Sequence, residues 1–266
     1  MLSILLSVTL ILLLCPNGAS GQNIVCMMLH CKDESKNCML DSDCRSALAC
    51  ITGCGTKNET CMFDCLYSYE DDVFDTFMKC AFTEYKCITM VSPDPDFRCK
   101  PPHLPLKTLP AQQLKGSWYI VLGLNPNFDC FDCQITTFYP SNNSNSLFVN
   151  EHFDVHTIDG KLKHKLVNET AMQNNASFQG LLEYKSMQMG HETTTEWRIL
   201  YQDPKLSYMI GYYCGHVASD WYYEGSVVFS RNPELSSEIM TEVKGQMTTL
   251  GLPVDQFCAP KTSNCF

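Results

Sequence analysis

Two carboxylates stand three residues apart among cysteines in the segment Phe128-Asp129-Cys130-Phe131-Asp132-Cys133-Gln134. In an Asn-Pro-rich loop such groups commonly cap turns. A carboxyl taken into an apolar interior has its pKa raised and is able to hand a proton to a bound molecule. Cysteine is the other reactive type. Of 17 cysteines, Cys15 lies in an apolar leader, which leaves sixteen. An even number in an oxidising compartment predicts a disulfide framework. Zinc is disfavoured because the cysteines follow helical spacings and His is not interleaved with them at finger-like intervals. The seven histidines show no metal-ligand spacing, and no metal is expected.

The compartment follows from the N-terminus. Residues Leu2 to Cys15 are almost wholly apolar, and Ala19 and Gly21 fit a signal-peptidase site, so residues 1–21 are read as a signal peptide cleaved before Gln22. The run is too short to span a membrane, and a secreted, extracellular protein is expected. Sequons at Asn58, Asn142, Asn168 and Asn175 suit N-glycosylation on that route. A net charge of -10 without clustered Lys and Arg argues against nucleic acid as partner.

The elements that must position the two acids are read from periodicity. Residues 22–91 carry ten cysteines, Cys26 to Cys87, with a cap near Asp41 or Ser42 and a stop at Gly55, and predict short disulfide-stapled helices. Cys50 and Cys54, like Cys61 and Cys65, stand at i,i+4 on one helix face. Two such helices packed antiparallel pair Cys54 with Cys61 and Cys50 with Cys65. Prolines at 93, 95, 101, 102, 105 and 110 make residues 92–110 a semi-rigid linker.

Residues 111–266 form the second domain, where eight alternating or β-rich runs occur in tandem. They lie near 118–124, 134–139, 147–153, 161–167, 178–184, 194–201, 208–213 and 221–230. Eight tandem strands suit an up-and-down barrel. A helix then starts with Asn232 as cap and Pro233 at its first position, and ends near Gly251. The fold expected is mainly β with a small α module. Eleven cysteines lie between Cys26 and Cys99 and five between Cys130 and Cys265, both odd, so at least one bridge joins the two parts.

Gly116-Ser117-Trp118 at the entrance to the first strand resembles the motif with which a lipocalin plugs the closed end of its barrel. The longer string, through Gly123-Leu124-Asn125-Pro126 to Cys133-Gln134, is similar to the lipocalin domain of the violaxanthin de-epoxidase family. The cysteine intervals from Cys26 to Cys87 resemble the Cys-rich domain of the same family. The resemblance implies pairs Cys26–Cys44, Cys31–Cys38 and Cys80–Cys87. It also implies a bridge from Cys133 to Cys265 or Cys258, and leaves Cys99 for the joining bridge.

The activity implied is a reductive opening of a carotenoid epoxide with ascorbate, which needs a protonated carboxyl in an apolar barrel. Asp129 and Asp132 match the family's motif, and Glu196, before Trp197, stands where the family has Asp. The family's histidines after Asp-Cys-Gln are Thr136 and Tyr139 here, and an expected Arg after Tyr212-Tyr213 is Cys214. Trp-Asp-Gly-Tyr is replaced by Asp220-Trp221-Tyr222-Tyr223, and an acidic C-terminal extension is unmatched up to Phe266. These departures favour a carrier of a small apolar, polyene or terpenoid ligand over an enzyme. The ligand would contact Trp118, Phe138, Trp197, Tyr212 and Tyr213. No tightly bound cofactor is expected; ascorbate would be the reductant of an enzyme. An extracellular matrix role is the third reading.

Overall fold

The computed structural model describes residues 23–265 apart from 56, 57, 91, 144, 219 and 220. The signal-peptide reading of 1–21 lies outside the described residues. The chain divides into two compact units. One holds the residues up to Pro95 with 157–159 and 189–191, and the other holds 96–156, 160–188 and 192–266. No helix among the described residues is long and apolar enough to cross a membrane.

The first unit is helical: α1 Ile24–His30, α2 Lys32–Leu40, α3 Ser42–Cys54, α4 Glu59–Tyr69 and α5 Asp72–Met78, then a π-helical turn Lys79–Glu84. Side-chain caps start four of the helices. Asn23, Asp41, Asn58 and Asp71 each accept from the backbone N–H three residues on. Gly55, with φ of 71°, ends α3. The bridges Cys50–Cys65 and Cys54–Cys61 join α3 to α4 as the i,i+4 spacing predicts.

The other three pairs differ from those the resemblance implied: they are Cys26–Cys87, Cys31–Cys80 and Cys38–Cys44. The reason is the path of the chain after α5. The segment from Lys79 to Ile88 folds back along α1, where the Asn23 N–H donates to the Cys87 carbonyl at 2.8 Å. That return brings Cys80 and Cys87 to Cys31 and Cys26, and Cys38–Cys44 closes the break at Asp41. Phe74, Phe77, Phe63 and Ala47 fill the small core between the bridges.

The second unit is a closed antiparallel barrel in the order β1 to β8. Its strands are β1 Gly116–Gly123, β2 Asp132–Pro140, β3 Ser146–His156, β4 Leu162–Met172, β5 Leu181–Gln188, β6 His191–Gln202, β7 Tyr208–Ala218 and β8 Trp221–Ser230. A short helix, α6 Ala111–Leu114, precedes β1. Trp118 is fully buried, its indole N–H donates to the Leu114 carbonyl at 2.7 Å, and the Arg231 guanidinium lies 3.6 Å over its ring.

Period-two alternation sorts each strand into an inner and an outer row. On β6 the inner row is Thr193, Thr195, Trp197 and Ile199; on β7 it is Met209, Gly211, Tyr213 and Gly215. The outer residues Leu200, Tyr208, Ile210, Tyr212 and Val228 are covered by Val243, Met247 and Leu250 of the C-terminal helix region. That helix, α7, spans Ser237–Thr249 and is capped by Ser236 rather than Asn232, one turn later than the Pro233 signal suggests.

The proline-rich segment is less of a spacer than its composition implies, because from Asp96 it belongs to the barrel unit. Leu106 donates to the Ile199 carbonyl and accepts from the Gly180 N–H, and Leu109 is fully buried in the barrel core. Cys99 is bonded to Cys214 on β7. Both members lie within the barrel unit, so the bridge inferred from the odd counts binds this segment to its own barrel. Cys130–Cys258 and Cys133–Cys265 hold the C-terminus to the β1–β2 end.

Candidate functional site

Asp129 lies in the loop between β1 and β2 and is 2% exposed. Gly123 permits this, because a Cβ there would stand 2.3 Å from the Asp129 carbonyl oxygen. The carboxylate accepts from the Tyr213 hydroxyl at 2.8 Å and from the Asn125 N–H at 2.8 Å. Burial pushes its pKa up to about 7, against the lowering effect of those hydrogen bonds.

Aromatic rings pack beside it. Trp197 stands 4.8 Å from Tyr213, 5.3 Å from Tyr184 and 5.7 Å from Phe229 between ring centroids. Phe138 meets Tyr184 edge-on, and Phe128 lies 5.0 Å from Tyr223. The Tyr223 hydroxyl bonds to that of Thr195 at 2.9 Å.

The structure brings Asp129, Phe138, Trp197 and Tyr213 together and leaves the other sequence candidates apart. Glu196 points outward between the inner residues Thr195 and Trp197, and Arg198 donates to its Oε1 from Nε at 2.8 Å and from Nη2 at 2.7 Å. Asp132 starts β2 at the rim, where it accepts from the Lys261 N–H at 3.0 Å and stands 3.5 Å from His156. Tyr212 packs outside against the C-terminal helix and donates to Glu224. Trp118 belongs to the closed end, beneath Arg231.

Among the sequons, Asn58 caps α4, and Asn175 accepts from the N–H groups of Ser177 and Phe178. Asn142 and Asn168 are exposed.

Two acids escaped the sequence reading. Glu151 on β3 shares its row with Leu147, Val149 and Phe153, and Glu169 on β4 shares its row with Ala171. A carboxylate in the apolar phase of a strand was the signal available for Glu151. Burial raises Glu151 to about 7, and burial together with the charge of Glu151 raises Glu169 to about 8. Thr136 donates to Glu151 at 3.3 Å, and Ser186, opposite Glu169, bonds to that carboxyl. The interior can therefore hold protons near neutral pH at three separate carboxyls.

The profile of the VDE lipocalin domain matches residues 23–262. The chain belongs to the VDE lipocalin domain family. Violaxanthin de-epoxidase of Arabidopsis thaliana is 27% identical over 248 residues, covering 89% of this chain and 53% of the relative. The enzyme of Nicotiana tabacum is 28% identical over 252 residues, covering 89% and 51%. This family member thus spans about half the length of the curated relatives it matches. Insecticyanin of the tobacco hornworm Manduca sexta superposes with a TM-score of 0.52 at 15% identity, over 63% of this chain and 89% of that one. That likeness speaks for the lipocalin fold alone.

Proposed function

We propose that this VDE-type lipocalin is a secreted carrier that holds one elongated, mainly apolar molecule of polyene or terpenoid type in its barrel. The observation that carries the reading is the buried Asp129–Tyr213 pair at 2.8 Å, set beside the rings of Trp197 and Tyr223. An eight-stranded barrel has room for one small ligand, and a few polar groups among aromatic walls orient such a ligand. The eight disulfides suit an oxidising extracellular compartment, where the sequons would carry glycans. Titration with a retinoid or carotenoid is expected to quench tryptophan emission saturably, with one site per chain. Absence of a saturable change with every polyene and terpenoid tested overturns the carrier.

A second reading is supported by the proton held near neutrality on Asp129. In it the barrel is an oxidoreductase like the de-epoxidases it resembles. Asp129 would protonate an epoxide oxygen as its C–O bond breaks. Ascorbate would supply two electrons and two protons, the oxygen would leave as water, and an alkene and dehydroascorbate would remain. Asp129→Asn should then abolish ascorbate-dependent turnover while binding persists, whereas Glu196→Gln, on the outer face, should leave turnover intact. No turnover at any pH removes this reading and leaves the carrier standing.

A further inference from the structure

Two acids inside the barrel, Glu151 and Glu169, are held without an ion pair among the described residues. Glu151 stands opposite Val167, and Glu169 opposite Val149, so the two carboxyls are diagonal neighbours on the inner face of β3 and β4. Such neighbours are roughly 7 to 8 Å apart. Both side chains are enclosed by protein yet keep partial accessible surface, so they border open space rather than closed core.

Apart from Lys165 on β4, the described side chains facing them from the neighbouring strands are acids, phenols or neutral. β2 presents Gln134 and Thr136, β5 presents Tyr184 and Ser186, and β6 presents Thr193 and Thr195. β7 and β8 present Tyr213 and Tyr223, and the β1–β2 loop presents Asp129. One cation is in phase on β4: Lys165 lies four residues from Glu169, about 13 Å along the strand, but only two from Val167, so its backbone is a diagonal neighbour of Glu151. The shift at the Glu151 carboxyl comes from burial and Thr136 and not from a cation. Among the described residues no Lys, Arg or His bonds to Glu151 or Glu169.

A separate observation points the same way. The Oε1 atom of Gln134, a side chain 4% exposed in the inner row of β2, has no hydrogen-bond partner, although its Nε2 donates to the Phe128 carbonyl. The interior thus offers an acceptor that lacks a donor, and aromatic faces that attract cations.

We infer that the molecule held by this barrel carries a protonated amine, seated between the Glu151 and Glu169 carboxylates. This rests on the barrel-ligand reading above and names the polar end of that ligand. An ammonium group brings three donors and no acceptor, and its charge removes the penalty of ionising two buried acids side by side. A neutral polyene satisfies neither need and requires both acids to stay protonated.

Retinol and retinylamine share one skeleton and differ in the group at its end, so the pair separates the two claims on the full chain. At pH 8 retinylamine is expected to bind at least about tenfold more tightly than retinol, by tryptophan quenching and calorimetry. Its affinity should fall as pH is lowered from 8 to 6, by up to about tenfold per unit for each acid that must lose a proton. The double variant Glu151→Gln, Glu169→Gln should bring retinylamine to the retinol level, with circular dichroism confirming the barrel. If that variant does not fold, Glu169→Gln alone should flatten the pH dependence of retinylamine binding. Equal affinity for the two molecules in the unaltered protein overturns the amine site and keeps the barrel reading. Binding of neither overturns both.

Discussion

The Tyr213 hydroxyl donates to Asp129 Oδ1 at 2.8 Å, across 84 residues of sequence, in a site closed to water. It is one of three hydrogen bonds that oppose the effect of burial on this acid. Tyr213→Phe is therefore expected to raise the Asp129 pKa further above about 7 and to cost about 1 to 3 kcal/mol of stability. Infrared titration of the protonated carboxyl band, assigned by its loss in Asp129→Asn, reads the shift. A band that titrates lower in Tyr213→Phe would show that the phenol does not stabilise the carboxylate.

Stability should rise on mild acidification. Asp129, Glu151 and Glu169 have folded pKa values near 7, 7 and 8, raised from 3.8, 4.5 and 4.5. Below about pH 4 both the folded and the unfolded chain hold these protons. Between about pH 4 and 8 the unfolded chain loses them first. Their contribution is thus fully present below the unfolded values and is lost as pH rises through the folded ones, by up to about 1.4 kcal/mol per pH unit for each group. Urea denaturation from pH 5 to 8 should show a falling midpoint, flattened in Asp129→Asn and in Glu151→Gln. A rising midpoint that the substitutions leave unchanged would contradict the assignment.

Peptide mapping without reduction should recover Cys26 with Cys87, Cys31 with Cys80 and Cys38 with Cys44. Recovery of Cys26 joined to Cys44 would mean that the segment after α5 does not return along α1.

Gly225 lies opposite Tyr213, and a Cβ there would stand 2.2 Å from the Tyr213 hydroxyl oxygen. Gly225→Ala should displace that ring, destabilise the barrel by about 1 to 3 kcal/mol and alter the near-ultraviolet dichroism. Combined with Tyr213→Ala the cost should be less than additive, as expected for two residues that share one space. Strict additivity would mean that the methyl group disturbs something else.

The barrel was legible because each strand keeps a period of two over several residues, and all eight runs recur as strands. The candidate site was legible only where a motif named its residue. Asp129 was singled out through the Phe-Asp-Cys string, whereas Glu196 was carried over from the family's Asp before Trp. Neighbours in a strand face opposite sides, and the residue sharing the Trp197 row is Thr195. Glu151 was open to the same test, since it interrupts the apolar row from Leu147 to Val155. The disulfides divide similarly. Spacing within a helix fixes Cys50, Cys54, Cys61 and Cys65, while Cys26, Cys31, Cys80 and Cys87 are matched by a reversal of the chain that no local pattern records.

The two inner glycines opposite tyrosines, Gly225 facing Tyr213 and Gly215 facing Tyr223, also act as a proofreading key for β7 and β8. A slip of one residue would turn each inner row to the outside. A slip of two keeps inside and outside correct, so alternation alone does not forbid it. One such slip sets Tyr213 against Tyr223, and the other sets Tyr213 against Val227 and leaves Gly215 facing Gly225. In both, a ring loses the empty backbone that accommodates it, and the barrel closes in the single alignment that also delivers the Tyr213 hydroxyl to Asp129.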